Sequence, residues 1–354
     1  MPKVISISRW RPLYEMASQL YELAPWRHME EVEIFGVKDP VSRITGYVSI
    51  MGNIEEHTAM AVYLGPEGLS SFLDMQSLSR RVSTMDVLLV PQLQLSFEER
   101  EFLEEDDLQL IHELGFKARN RHGWPFFRSY RPGYAPWFFD NDEIALFKTF
   151  LEQALIVLKN DKQRRDLLPI LEQDQILIRT PRKVKMDYVW KDARKPLRQC
   201  IEHDKVHAYY VESRLMLQAK FLPRRRQQLY VDCQLLITPI EERKGERPYL
   251  PFILLVVDKA SEMILHFDTF PGKEGWASIV SELPGRFVSA LAAIGCRPTS
   301  ILLRSEKIYD LLKPLEKGLE FKLKLIEDIP LIDQLIEDFY RHHGKDGNVV
   351  PMEF

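Results

Sequence analysis

The segment from Lys117 to Trp137 combines positive charge with aromatic rings. It holds five lysines and arginines, six aromatic residues and no aspartate or glutamate. Cationic groups pair with phosphates and rings stack on unpaired bases, which is the chemistry of single-strand binding. The candidate nucleic-acid-binding residues of this segment are Arg119, Arg121, Trp124, Arg128 and Arg131. The competing interpretation is a core strand whose alternating rings pack inward while the arginines face water.

Two further basic runs follow. Arg224, Arg225 and Arg226 come directly after Pro223. The segment Arg179–Arg198 has eight lysines and arginines against two aspartates, a surplus of +6 (8 − 2). Both runs predict a basic face for a nucleic acid or an acidic protein partner, with ordinary solvated charge as the alternative. The acidic segment Glu98–Asp107 is a third candidate partner for these basic runs, within the chain itself.

Motifs for metals, nucleotides and hydrolysis are incomplete. His203 and His207 have the four-residue spacing of ligands on one helix face, and His342 and His343 are adjacent, but the HExxH pattern is absent. The glycine patterns of dinucleotide sites, P-loops and α/β-hydrolases are also absent. These motifs therefore predict no firm metal site and no cofactor.

Composition predicts a two-domain protein. The chain has 354 residues, 45% of them hydrophobic, and a formal net charge of −4, so a basic patch must be local. Its three cysteines, Cys200, Cys233 and Cys296, form no CxxC pair and predict reduced cytosolic thiols. Apolar runs are too short to span a bilayer, so we expect a cytoplasmic protein without a membrane partner. Nothing in the sequence indicates an oligomeric state.

Hydrophobic spacing predicts an α+β domain over residues 1–160. Its predicted elements are a helix from Trp10 to Leu23, a hairpin over Gly46–Gly65, a helix from Gly65 through Leu73, a strand over Asp86–Leu95, a helix capped by Ser96 and a helix over Asn141–Leu158. Residues 161–213 read as a basic connector with extra strands. Residues 214–354 form the second predicted domain.

The second domain begins with three predicted strands. One is Leu229–Pro239, and the other two flank the turn Asp258-Lys259-Ala260-Ser261 inside Pro251–Phe270. A helix over Trp276–Ile294 follows, which Pro284-Gly285 kinks or splits. The remaining predicted elements are the strand Thr299–Leu303, the helix Ile308–Glu316, the strand Phe321–Ile326 and the helix Leu331–His342. The order is β, β, β, α, β, α, β, α.

This order resembles a ribonuclease H-like core of the integrase and transposase type. The shared features are an acid in the first strand, a Val-Val-Asp hairpin, a helix ending in Gly-x-x-Pro and a strand with isoleucine second. They correspond here to Asp232, Val256–Ser261, Gly295–Pro298 and Ser300–Leu303. The match runs from about Tyr230 to Tyr340 and implies a mixed-sheet α/β fold. The whole chain also resembles an uncharacterised group of bacterial conserved hypothetical proteins.

The resemblance implies a Mg²⁺ site only if the acids are complete, because such cores clamp two cations between carboxylates. Asp232 fits the first-strand position. The fourth strand ends in Leu303-Arg304-Ser305-Glu306, so the second acid is missing or displaced to Glu306. The last helix offers Asp333, Glu337 and Asp338. A relaxed catalytic set would be Asp232, Glu306 and Glu337 or Asp338, in a metal-dependent nuclease or phosphoryl-transfer enzyme. The favoured expectation is a degenerate core that serves as a binding or scaffolding protein associated with nucleic acid.

Overall fold

A computed structural model describes residues 6–52, 58–77, 84–160, 167, 169–172, 174–201 and 211–343 of the chain. The chain forms two compact units. The first unit consists of Met1–Arg131 and Pro136–Lys205, and the second of Pro132–Ala135 and Val206–Phe354. Each unit is built on its own mixed sheet, with helices against the strands. The protein is therefore a two-unit α+β molecule.

In the described residues, the sheet of the first unit has seven strands in the order β5-β4-β3-β2-β1-β6-β7. The strands are β1 Phe35–Lys38, β2 Thr45–Met51, β3 Ala59–Leu64, β4 Gln92–Glu98, β5 Trp124–Tyr130, β6 Gln175–Val184 and β7 Asp187–Pro196. Neighbouring strands are antiparallel except for the parallel pair β1 and β6. The segment predicted as a basic connector thus contributes two strands to this sheet.

Helices cover both faces of the central strands of this sheet. They are α1 Ile7–Leu23, α2 Gly65–Ser77, α3 Thr84–Leu88, α4 Glu105–Leu114 and α5 Asn141–Lys159. α1 and α5 pack on each other and share one core with Val48, Val62 and Leu93. α2 contributes Phe72 to a second core with Tyr47 and Tyr63. Because both faces are covered, β3 is apolar along almost its whole length instead of alternating.

Two predictions in the first unit are wrong. The apolar run that predicted a strand from Asp86 divides into the short helix α3 and the strand β4, which begins at Gln92. Ser96 caps no helix. It lies buried in β4, where it pairs with Ala59 of β3 and Phe126 of β5. Pairing on both sides extends the strand through Glu98, and the acidic helix starts nine residues after Ser96, at Glu105 (105 − 96).

In the described residues, the second unit has five strands in the order β10-β9-β8-β11-β12. They are β8 Gln228–Leu235, β9 Pro251–Asp258, β10 Ile264–Pro271, β11 Ser300–Leu303 and β12 Lys322–Leu325. β8, β9 and β10 are antiparallel, whereas β11 is parallel to both β8 and β12. The helices are α6 Ser213–Lys220, α7 Trp276–Ile294, α8 Glu306–Leu319 and α9 Pro330–His343. The predicted strands and helices of this half lie within a few residues of these elements.

β9 lies beside the central strand β8 and is buried on both faces. Ile253, Leu255 and Val257 pack in one cluster with Ile329 and Ile332, from the start of α9. Alternate residues of a strand point to the opposite face. There Phe252 contacts Phe270 of β10, with ring centroids 5.6 Å apart. α7 contacts both β9 and β10.

α7 runs without a break from Trp276 to Ile294, although Pro284 lies inside it. The predicted split at Pro284-Gly285 is therefore wrong. Among the described helices, α7 is the one with the length and hydropathy of a membrane span, and 50% of its apolar window is buried in the protein. Its buried side chains include Ile279, Leu283 and Phe287. This burial is typical of a core helix.

Residues 132–135 leave the first unit between β5 and α5 and join the second. Leu250 N donates to the Gly133 carbonyl at 2.8 Å, and Ala135 N donates to the Pro248 carbonyl at 3.0 Å. Gly133 has φ +80°, and a Cβ atom there would lie 1.4 Å from the Gly272 carbonyl oxygen. Only glycine suits this position, because both the backbone conformation and the space exclude a side chain.

Candidate functional site

The carboxylate of Asp232 is buried in the middle of β8 and accepts four hydrogen bonds. Asp232 is 3% exposed. Its Oδ1 accepts from Cys233 N at 3.0 Å, and its Oδ2 accepts from Gln234 Nε2 at 2.7 Å. Arg304 donates to the same Oδ2 through Nε at 3.0 Å and Nη2 at 2.7 Å. A carboxylate has about four lone-pair positions. Four donors therefore hold Asp232, three of them on Oδ2 and one on Oδ1.

Strand register brings Arg304 to Asp232. β11 is parallel to β8, and Leu302 pairs with Tyr230. Two residues further along each strand, Arg304 stands beside Asp232. The third nitrogen of the Arg304 guanidinium, Nη1, donates to Asp333 Oδ1 of α9 at 2.6 Å. Burial lowers the pKa of Arg304, but the charges and hydrogen bonds of Asp232 and Asp333 outweigh it and raise that pKa. The guanidinium is thus a permanent cation between two acids.

The other predicted acids lie elsewhere on the unit. Glu306 begins α8 and is exposed, and Glu337 is exposed on α9. Asp338 pairs with Arg341 of the same helix at 2.9 Å. Across the described residues, no group of three or more histidines, cysteines, aspartates or glutamates has the arrangement of a metal site. The last-helix acid that joins Asp232 is Asp333, one helical turn before Glu337.

The donor set around Asp232 does not suit a divalent cation. Mg²⁺ requires free carboxylate oxygens with octahedral geometry. Both oxygens of Asp232 already accept hydrogen bonds, and Arg304 holds a positive charge at the place where a cation would have to bind. The arrangement binds a guanidinium group instead of a metal ion.

A basic hollow lies at the N-terminal end of β8, which begins at Gln228. It has a volume of about 520 Å³ and is lined by Arg225, Arg226, Gln227, Gln228, Asp258, Lys259 and Ala260. We call this surface, together with the adjacent Arg224, the arginine hollow. All three arginines are exposed, and none forms an ion pair with an acid within the described ranges. The hollow is therefore a site of uncompensated positive charge.

Backbone hydrogen bonds hold the chain that carries the arginines of the hollow. Arg225 N donates to the Arg297 carbonyl at 2.9 Å, and Gln227 N donates back to the Arg225 carbonyl at 2.8 Å. Gln227 Nε2 donates to Asp258 Oδ1 at 2.9 Å, which connects the run to the β9–β10 turn. Lys259, in that turn, lies with Nζ 5.7 Å from the ring centre of Tyr230. Two turns of chain thus present their cations to one surface.

Asp258 is the single acid of the hollow lining, and it is engaged in the turn. Ser261 donates to Asp258 Oδ2 from Oγ at 2.7 Å and from N at 3.0 Å. Burial raises the pKa of Asp258, but hydrogen bonds from Ser261 and Gln227 outweigh it and lower that pKa. The carboxylate closes the hairpin and does not pair with the arginines.

The arginines of Lys117–Trp137 are all paired with acids. Arg119 pairs with Glu22, Arg121 with Glu99 and Glu101, and Arg131 with Asp140 and Glu143. The rings of β5 include the buried Phe127 and Tyr130, while Trp124 is half-buried with Arg100 5.9 Å from its ring centre. These contacts favour the core-strand interpretation. Binding of nucleic acid by this segment stays a prediction.

Arg128 is the most enclosed of these residues. It donates to Asp107 Oδ1 and Oδ2 at 3.0 and 2.7 Å and to Glu104 Oε1 at 2.8 Å. Its guanidinium carbon lies 3.7 Å from the ring centre of Phe126 and 4.4 Å from that of Phe138. Burial lowers the pKa of Arg128, but Asp107 and Glu104 raise it overall. Arg128 therefore has a structural role in its unit.

His203 and His207 lie outside the described residues. His342 and His343 end α9.

Two domain families match the chain. Residues 10–179 match the model of a domain of unknown function (DUF7309), and residues 215–340 match that of another domain of unknown function (DUF6930). No curated protein matches the chain. The second match contains Asp232, Arg304 and the arginine hollow. The chain thus resembles uncharacterised families, and no specific function follows from either match.

Proposed function

We propose that the chain is a non-catalytic binding protein and that the arginine hollow holds a nucleic-acid backbone. The observation that carries the proposal is the set of exposed guanidinium groups of Arg224, Arg225 and Arg226, which have no acidic partner in the described part of the chain. In the first unit, by contrast, the arginines around β5 are neutralised. Uncompensated cations attract phosphates and release counterions on binding.

We also propose a ribonuclease H-like fold for the second unit. The proposal is supported by three antiparallel strands, β8 to β10, followed by strands that alternate with helices. The central position of β8 in the sheet agrees with it as well. In this interpretation Asp232 occupies the first-strand acid position, and Arg304 replaces the second acid.

The contacts of Asp232 support a non-catalytic role. Metal-dependent phosphoryl transfer in such a core requires carboxylates that are free to clamp two Mg²⁺ ions. The oxygens of Asp232 accept four hydrogen bonds, two of them from Arg304. A nuclease is therefore the alternative that the experiments must exclude.

Binding is tested by fluorescence anisotropy with labelled single-stranded DNA between 50 and 200 mM salt. We expect an affinity that falls steeply with salt, by a slope of about −0.7 for each phosphate contacted. The variant R225Q/R226Q/K259Q should lose two or three of these contacts, reduce the slope by about 2 and weaken binding at least tenfold at low salt. A salt-independent affinity would contradict the proposal.

The matched control is K148Q/K313Q/R341Q, which removes the same formal charge from exposed residues that pair with acids. It should bind DNA within about twofold of the unmodified protein. An equal loss in both variants would show that net charge alone drives binding. For catalysis, labelled DNA is incubated with protein and Mg²⁺, and we expect no cleavage. Mg²⁺-dependent cleavage that Asp232→Asn abolishes would establish the nuclease alternative.

A further inference from the structure

The β6–β7 hairpin extends beyond the sheet of the first unit. β6 pairs with β1 at Ile178 and Arg179, whereas its pairing with β7 continues to Val184. In the described residues, positions 180–184 therefore have β7 as their only neighbouring strand. Pro181 is buried, so the freely projecting part begins at Arg182, and residues 182–184 span about 10 Å of extended chain. We call residues 180–191 the ribbon.

The base of the ribbon is anchored in the unit. Arg179 is buried and donates to Gln153 Oε1 of α5 at 2.9 Å. Its Nη1 donates to both carboxylate oxygens of Asp192, at 3.0 and 2.9 Å, across the strand pair. Trp190, which packs partly against the core, has its ring centre 6.0 Å from this guanidinium. The ribbon thus projects from a fixed base.

The ribbon carries positive charge on both faces. Arg182, Lys183, Lys185 and Lys191 are exposed, and within the described ranges none of them pairs with an acid. Asp187 is the single acid of the ribbon, which leaves +3 (4 − 1). Arg182 pairs with Val189, and Lys183 with Tyr188. Neighbours along a strand point to opposite faces, so cations lie on each side.

The end of the ribbon is apolar as well as basic. Met186 is 90% exposed, and Val184, Tyr188 and Val189 are 45%, 41% and 50% exposed. Lys185 makes the turn with φ +56°. Side chains of this kind contact base edges and the methyl group of thymine when cations on the same element hold the phosphates.

We infer that the ribbon enters the major groove of B-form duplex DNA. That groove is about 12 Å wide and admits a two-stranded β-ribbon. The corresponding groove of A-form RNA is too narrow for side chains to read. Positive charge on both faces matches the phosphate walls on either side of the groove, with the apolar tip directed to its floor. This inference concerns other residues and another substrate class than the arginine hollow, so the two fail separately.

The experiment compares binding to a mixed-sequence DNA duplex, an RNA duplex of the same sequence, heparin and polyglutamate. The unmodified protein should bind the DNA duplex at least tenfold more tightly than the RNA duplex. The variant R182Q/K183Q/K185Q/K191Q should lose at least tenfold in affinity for the DNA duplex and reduce the salt slope by about 3. The control K148Q/R243Q/K313Q/R341Q removes the same charge from paired surface residues and should stay within twofold.

A second variant separates groove insertion from simple charge attraction. M186S/V189S keeps every charge, so we expect weaker binding to the DNA duplex with an unchanged salt slope. Circular dichroism and thermal unfolding check that each variant is folded. Equal affinity for DNA, RNA and heparin would overturn the inference, and tighter binding to polyglutamate than to DNA, or unchanged DNA affinity of the fourfold glutamine variant, would overturn it too.

Discussion

Arg304 determines the chemistry of the Asp232 site because one guanidinium satisfies two acids. Asp232 is buried, so its negative charge requires a partner, and Arg304 provides it at 2.7 Å. Asp333 holds the other arm of the same guanidinium at 2.6 Å. Removing one member of a buried ion pair costs more free energy than the pair contributes, because the remaining charge loses its compensation.

Arg304→Ala should therefore lower the free energy of unfolding by about 3–5 kcal/mol, measured by urea denaturation. The double variant D232N/R304M should recover most of this loss, because it leaves no buried charge. Arg341→Ala is the control on α9. Its pair with Asp338 is exposed, and such pairs are worth about 0.5 kcal/mol or less. Losses of equal size in R304A and R341A would contradict the assigned role.

Part of the site was predictable from sequence at this scale. Asp232 and Arg304 are identifiable from their strands, but the choice of Asp333 over Glu337 depends on how α9 is rotated against the sheet. The arginine-rich segment illustrates the same limit. Its local sequence has no acid, yet its partners Glu22, Asp107 and Glu143 come from other elements. The composition of one segment cannot predict ion pairs with residues that are distant in the sequence.

Elements with regular apolar spacing were predicted correctly, whereas the helix α3 and the extent of β4 were not. α1, α5 and the β2–β3 hairpin follow from hydrophobic periodicity and lie where it places them. β4 extends to Glu98 because β3 and β5 pair with it on both sides. The short helix α3 replaces the first half of a run with strand-like composition. Neither outcome follows from residue type alone.

Gly133 shows how closely one element depends on another. Gly133→Ala places a Cβ atom 1.4 Å from the Gly272 carbonyl oxygen, so the backbone at Gly133 or at Gly272, directly after β10, must shift. Gly115→Ala is the matched control, because Gly115 also has positive φ, +66°, but no atom within 4 Å of such a Cβ. The control should cost only backbone strain, about 1–2 kcal/mol.

Gly133→Ala should lower the free energy of unfolding by clearly more than Gly115→Ala does. Denaturation measures both decreases. Hydrogen exchange should locate the change at the amides of Leu250 and Gly272, which bond around this segment. Equal decreases in the free energy of unfolding would contradict this expectation, because they would mean that the backbone around Gly133 accommodates the added Cβ atom.

For the whole molecule, the boundaries of the two family matches differ from those of the compact units. The first match, residues 10–179, contains residues 132–135, which belong to the second unit. A fragment of residues 206–354 alone therefore lacks the bonds that Leu250 and Pro248 make with Gly133 and Ala135. The second unit is incomplete when it is produced from its own half of the sequence.

Residues 1–205 and 206–354, co-expressed as two polypeptides, should consequently co-purify as one complex. The fragment 206–354 alone should unfold at a lower temperature than it does in that complex. Gly133→Ala in the first polypeptide should weaken the association, whereas Gly115→Ala should not. Separate elution of the two unmodified polypeptides in size-exclusion chromatography would disprove the expectation.

Because residues 132–135 belong to the second unit, their hydrogen bonds form late during synthesis of the chain. Gly133 leaves the ribosome 117 residues before its partner Leu250 (250 − 133). At typical translation rates this separation corresponds to roughly 6–23 s. During that interval the nascent segment between β5 and α5 has none of its final hydrogen bonds to the second unit. We therefore expect the N-terminal half to form an intermediate in which residues 132–135 are still unbonded. These residues form their hydrogen bonds only after the C-terminal sheet has been translated.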